Sequence, residues 1–326
     1  MGGVAAQPIE VFRPGRSSLS ARTVSLLGLS FYLAATVLLV ASGGIPLSRD
    51  VVFGWVLVGM LAASLADLRG WARGVLYDWL PFFALLFAYD FLRGQIGSEP
   101  LYEPHVLPQI QADELLFGSI PTVDLQARFF DPASIDALDI AAWAVYVTHF
   151  FAIIVIAATL WRVARPRFLE FRAMVLTLTA SAFVTYALYP AAPPWMASED
   201  GVIGSVDRTV GAVWRHLGIG SAASVWDNGS AFANQVAAIP SLHTAYPVLI
   251  LCFFWKSGGL VRAICLAYAL AMSLTLVYTG EHYVFDVLLG WVYAIVTYLA
   301  VRAIRSAWAA HRERRERAAA EGPLIR

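Results

Sequence analysis

Eight apolar stretches limit what this chain can fold into. They cover residues 23–43, 51–66, 75–93, 138–161, 170–190, 243–256, 260–279 and 283–304, and each carries few charges. A helix needs about 20 residues to cross the roughly 30 Å hydrocarbon core of a bilayer, and somewhat fewer at the margins. Inside hydrocarbon every backbone N–H and C=O must find its partner within the protein, which a helix achieves inside one segment. The runs therefore predict an all-α fold, a polytopic membrane helix bundle of about eight transmembrane helices. Composition agrees, with 59% hydrophobic and 14% charged residues, against about 45–50% and about 25% in soluble domains. The second and sixth stretches are short. The first is long for a signal-peptide core and lacks a small-residue cleavage site, so it is read as a span.

Arginine and lysine mark cytoplasmic loops. With eight spans both termini share a side, and that side holds 18 of the 23 basic residues. The other side holds Arg49, Arg93, Arg128, Arg208 and Arg215. Both termini are thus predicted to be cytoplasmic, in a multi-pass protein of the cell membrane. Two long connections, 94–137 and 191–242, fall on the outer side. The first is acidic, and its 107–120 portion mixes apolar and polar residues like an amphipathic helix lying in the interface. The second follows Tyr189-Pro190 and opens Ala191-Ala192-Pro193-Pro194-Trp195. Its prolines end the fifth span, and Trp195 suits the headgroup level. The expected organisation is a segment with two additional spans (1–74), a six-helix core (75–304) and a basic tail (305–326). A net charge of zero suggests no nucleic-acid partner. Cys252 and Cys265 lie in apolar segments and read as core thiols rather than a disulfide or a metal site.

Ionisable side chains are scarce in the hydrophobic second half, and three of them cluster in two short motifs. These are Pro240-Ser241-Leu242-His243 and Gly280-Glu281-His282-Tyr283-Val284-Phe285-Asp286. The histidines are 39 residues apart, enough for two helices of about 18 residues that each rise roughly 27 Å. One hairpin goes in and comes back, so both histidines belong to the outer end. His282 and Asp286 are i, i+4 and share a helix face. The carboxylate can accept the imidazole N–H and leave the other nitrogen free to attack phosphorus, while the second histidine protonates the leaving oxygen. Ser241 at a helix start could help free backbone N–H groups hold phosphate oxygens. Arg93, which ends a span, is the best-placed cation for the phosphate, and Arg128, Arg208 and Arg215 are on the same side. Asp90, one turn before Arg93, reads as its ion-pair partner. Glu281 reads as a rim charge, Trp195 could shape a lipid entrance, and His149, in mid-span, reads as a hydrogen-bonded interior residue.

These residues resemble the type 2 phosphatidic acid phosphatase superfamily over roughly residues 75–304. Within it the chain looks most like the inositol phosphorylceramide synthase branch. That likeness rests on Ala192-Pro193-Pro194-Trp195, on both histidine motifs, and on Asp78-Trp79-Leu80-Pro81 and Tyr89-Asp90-Phe91-Leu92-Arg93-Gly94. The resemblance implies an integral membrane phosphotransferase that uses neither metal nor cofactor. It would move an inositol phosphate-like headgroup from a lipid donor to a hydroxyl acceptor at the outer face. His282 would be the nucleophile, Asp286 its partner and His243 the general acid. The superfamily often carries a lysine followed by Arg-Pro before the first histidine and an arginine six residues before the second. Here the Pro-Pro-Trp stretch and Leu276 stand in those places. Two alternatives remain open from sequence: a lipid phosphate phosphatase with water as acceptor, and a non-catalytic lipid-binding or transport protein.

Overall fold

The computed structural model describes residues 19–43, 49–98, 101–218 and 234–320. Among them the regular structure is helical, apart from isolated bridges. The chain divides into two compact units, Met1–Phe83 and Ala84–Arg326. In the first, α1 (Leu19–Gly43) packs against α2 (Arg49–Ala63), with Trp55 Nε1 donating to Thr36 Oγ1 at 2.9 Å. The short α3 (Leu68–Gly74) runs through a π-helical turn, Val75–Trp79, into α4 (Leu80–Ser98). The predicted third span therefore starts earlier than residue 75. Asp67 caps it by accepting from the Gly70 N–H at 2.9 Å.

In the second unit, the loop predicted over 94–137 folds into α5 (Leu107–Phe117) and α6 (Pro121–Phe129). Helix α7 (Ala137–Val163) opens with a capping box. The Asp136 carboxylate accepts from the Leu138 and Asp139 N–H groups at 2.7 and 3.1 Å, and Asp139 accepts from the Asp136 N–H at 2.9 Å. Such a cap is worth about 0.5–2 kcal/mol. Helix α8 (Arg165–Leu188) returns, followed by the short α9 (Pro194–Glu199) and α10 (Thr209–His216). Then come α11 (Leu242–Phe254), α12 (Gly259–Tyr278) and α13 (Val284–Ala320).

Helix α11 is the central element. Ten of its thirteen residues are buried, and a helix that is apolar all round belongs inside a bundle. It packs against α7, α8, α12 and α13. Gly290 lets α13 come close: a Cβ there would lie 2.4 Å from the Ser241 carbonyl oxygen and 2.5 Å from Thr244 Oγ1. The outer faces of α12 and α13 carry exposed Leu260, Ile264, Leu274, Val292, Val296 and Leu299, an apolar surface of the kind that suits lipid. Among the described residues five helices are long and apolar enough to cross a membrane: α1, α7, α8, α12 and α13. The shorter α2 and α11 fall on the two stretches read as short. The architecture is an all-α polytopic bundle.

The two long connections are tied together by backbone bonds. His105 N–H donates to the Pro190 carbonyl at 2.8 Å, and Ala192 N–H donates to the His105 carbonyl at 2.9 Å. Ala191 N–H donates to the Val236 carbonyl at 2.7 Å. Gln126 adds a second tie, with its amide nitrogen donating to the carbonyls of Asp207 and Tyr278, both at 2.8 Å. Both loops thereby sit over the start of α11 and the α12–α13 turn.

Candidate active site

Ser241 is the N-cap of α11, but its side chain makes no capping bond. Its Oγ is buried and has no hydrogen-bond partner among the described residues. His243 follows in the first turn, where backbone N–H groups have no intrahelical acceptor. The second motif leaves α12 through Gly280 at φ +80°. A Cβ there would also lie 2.9 Å from the Asp207 carbonyl oxygen. Glycine is required on both counts. The turn lets the Glu281 and His282 N–H groups donate to the Leu276 carbonyl at 3.1 and 3.2 Å.

Asp113 on α5 then starts α13. Its carboxylate accepts from the Val284 and Phe285 N–H groups at 3.0 and 2.9 Å. Burial raises its pKa, and those two backbone bonds offset part of the rise. Ser241 N–H donates to the Asp286 carbonyl at 3.2 Å, which joins the two motifs directly.

The resulting cluster is linear. Asp286 Oδ2 accepts from the Tyr283 N–H at 3.0 Å and lies 3.4 Å from His282 Nδ1. His282 Nε2 lies 3.4 Å from His243 Nδ1. Asp286 is fully buried and His282 is 5% exposed. A neutral His282 with its proton on Nδ1 donates to Asp286 and presents a lone pair on Nε2. Both contacts are long for hydrogen bonds. The Tyr283 phenol is buried and has no hydrogen-bond partner among the described residues.

Glu281 and Arg208 form the flank. Arg208 Nε donates to Glu281 Oε1 at 3.1 Å and Nη2 donates to Oε2 at 3.2 Å. The guanidinium lies 4.6 Å from the Trp195 ring, and Trp195 N–H donates to the Gly280 carbonyl at 3.2 Å. Burial opposes the Arg208 charge, but the Glu281 carboxylate outweighs it and the pKa moves up. Glu281 is thus a buried partner of an arginine, and Trp195, at 7% exposure, is packed inside the protein. Beside them an open pocket of about 660 Å³ is lined by Trp195, Glu199, Asp207, Arg208, Arg215 and His216, among others.

Other sequence candidates fall elsewhere. Arg128 is exposed on α6, with its guanidinium 6.0 Å from the Phe129 ring. Asp90 and Arg93 lie on α4, and their side chains are outside the described residues. Sequence reasoning missed His149 and Tyr146, one turn apart on α7. The His149 ring centroid is 4.1 Å and the Tyr146 centroid 5.2 Å from that of His243. A Tyr-x-x-His pair on one face of an otherwise apolar span was the available signal. Asp113 was hidden among the other acids of its loop.

Residues 126–300, just over half the chain, match the PAP2 superfamily. The chain belongs to the PAP2 superfamily. It is also 32% identical over 133 residues to the phosphoinositol dihydroceramide synthase of Bacteroides thetaiotaomicron. That alignment covers 39% of this chain and 43% of the relative, so less than half of the relative's length is matched. No solved structure matches. The PAP2 region contains both histidine motifs, His149 and Arg208, whereas Asp113 lies before it. Where superfamily members often carry an arginine, this PAP2 chain buries Leu276 completely. Among the described residues a cation beside the second histidine motif comes from the second loop, as Arg208.

Proposed function

We propose that this protein is an integral membrane phosphotransferase. It would take a phosphate-bearing, inositol phosphate-like headgroup from a lipid donor and pass it to a hydroxyl acceptor. The observation that carries the reading is the chain Asp286–His282–His243, with both nitrogen contacts at 3.4 Å. His282 Nε2 attacks phosphorus and forms a P–N bond. The P–O bond to the donor's leaving alcohol breaks, and His243 gives that oxygen its proton. Asp286 holds the Nδ1 proton and balances the positive charge that grows on the ring. The acceptor hydroxyl then attacks the phosphohistidine, returns a proton to His243 and frees His282. Because Nε2 and Nδ1 are only 3.4 Å apart, the phosphoryl group cannot fit between them. Substrate entry therefore requires the His243 ring to turn aside.

One further observation supports a phosphate at this place: Ser241 Oγ, a potential donor at the start of α11, is buried and has no hydrogen-bond partner among the described residues. The relative named for a phosphoinositol dihydroceramide motivates transfer. The match to the PAP2 superfamily is the observation that favours the second reading, hydrolysis with water as the acceptor. In both readings the basic residues favour cytoplasmic termini and a site opening to the outer face.

The test is turnover of a mixed lipid extract read by mass spectrometry, with wild type, His243→Ala and His282→Ala. New phosphodiesters support transfer, and free phosphate or headgroup phosphate supports hydrolysis. Full turnover by either variant removes the phosphohistidine mechanism, and no turnover by wild type leaves lipid binding or transport as the role of the fold.

A further inference from the structure

The opposite end of the bundle holds a second pocket. It has a volume of about 240 Å³ and is lined by Arg167, Glu170, Lys256, Ser257, Tyr298 and Arg302, with Phe253 at its wall. These residues come from three places: the first turn of α8, the α11–α12 turn, and α13 eighteen residues beyond Val284. Eighteen helical residues rise roughly 27 Å, so the pocket is separate from the histidine cluster. It lies on the side that the basic residues mark as cytoplasmic.

Three cations face one carboxylate there, and none of the three makes a salt bridge among the described residues. They are nevertheless held in place. The Arg167 guanidinium lies 4.9 Å from the Phe253 ring and 5.3 Å from the Phe254 ring. Arg302 Nη1 donates to Tyr298 Oη at 2.9 Å. Aromatic and hydroxyl partners fix the direction of a guanidinium without neutralising it. Trp255, in the same turn, is 49% exposed and lies under Arg262 at 5.2 Å. An exposed Trp at a helix end sits at the headgroup level. The volume is several times the roughly 30 Å³ share of a water molecule, which leaves room for a phosphodiester. Basic pockets between membrane helices at the cytoplasmic level bind anionic headgroups.

We propose that Arg167, Lys256 and Arg302 form a binding site for the phosphate group of an anionic phospholipid, on the membrane face opposite the histidines. The site joins the far ends of α8, α11 and α13, the helices that carry His243 and Asp286 or pack against them.

The test uses the full chain in the His282→Ala background, so that turnover cannot remove the lipid. Native mass spectrometry counts phosphatidylglycerol retained from phosphatidylcholine bilayers containing it. The pocket variant, Arg167→Gln with Lys256→Gln and Arg302→Gln, should retain one molecule fewer. A tail variant, Arg314→Gln with Arg315→Gln and Arg317→Gln, removes the same charge outside the pocket and should retain the full number. Lys256→Gln alone, in an exposed turn, replaces the triple variant if that one does not fold, and should weaken retention. A second arm measures the thermal shift with inorganic phosphate in pure phosphatidylcholine. A pocket-dependent response to lipid alone supports a headgroup site. A pocket-dependent shift with phosphate alone overturns the lipid assignment in favour of free phosphate. Equal loss in pocket and tail variants, or no loss in either, overturns the site.

Discussion

Replacing Asp286 by asparagine separates the charge of the carboxylate from its geometry. Oδ2 accepts from the Tyr283 N–H at 3.0 Å and faces His282 Nδ1 at 3.4 Å. A backbone N–H can only donate, so the asparagine must turn its carbonyl oxygen to that position. The same oxygen still accepts from His282, and the imidazole keeps its tautomer. The amide nitrogen falls in the place of Oδ1, which has no hydrogen-bond partner. The unpaired amide costs about 1–3 kcal/mol of folding stability, but it does not act on the barrier. The barrier loses one negative charge 3.4 Å from a ring that becomes cationic on attack. At an effective dielectric of about 20 that attraction is roughly 4–5 kcal/mol. The retained carbonyl dipole keeps part of it, so the barrier rises by about 3–4 kcal/mol and turnover slows about 100- to 1000-fold. Asp286→Ala also loses the tautomer and the Tyr283 bond and should be slower still. The assay is single-turnover headgroup release from a labelled lipid donor in detergent, with thermal unfolding measured on the same samples. Turnover by folded Asp286→Asn within about threefold of wild type would refute the reasoning.

Gly290→Ala should push α11 and α13 apart and cost about 1–3 kcal/mol in thermal unfolding. Turnover should fall with it, whereas Gly54→Ala, where nothing lies within 4 Å, is the neutral control. Arg208→Gln should raise KM for the lipid phosphate about tenfold, the weight of a charge-assisted hydrogen bond. Glu281→Gln removes the paired carboxylate but keeps the Arg208 charge and should not raise KM; an equal rise in both variants would assign the pair to folding alone. Turnover should survive prolonged treatment with a metal chelator, and loss that added metal restores would defeat the metal-free mechanism. Single cysteines at Leu115, 87% exposed on α5, and at His311 should label from opposite sides of sealed vesicles. Labelling of both from one side would break the eight-span topology.

Helix existence was legible because the cause is local. Long apolar runs leave a chain in lipid one backbone solution, and the helices fall on the eight expected stretches. The ends were less legible, since α13 continues to Ala320 and α8 starts at Arg165 on charged, exposed turns that hydropathy does not register. The histidine hairpin was legible through its spacing. The place of His149 was not, because a histidine in mid-span looks the same whether it faces a core or another histidine ring. Glu281 looked like a rim charge and Trp195 like part of a lipid entrance, because sequence cannot show that the fold buries both.

By itself, the sequence determined the polytopic class, the alternation of charge between loops, and the pairing of His282 with Asp286. Each follows from short-range periodicity or from the solvent each segment can tolerate. Only the tertiary structure decided that Arg208 from the second loop approaches the second motif. It also decided that Asp113 from the first loop starts α13, and that His149 and Tyr146 stand against His243. Those contacts join residues roughly 70 to 170 positions apart. They depend on close approaches such as Gly290 against Ser241, and no local pattern encodes such a distance.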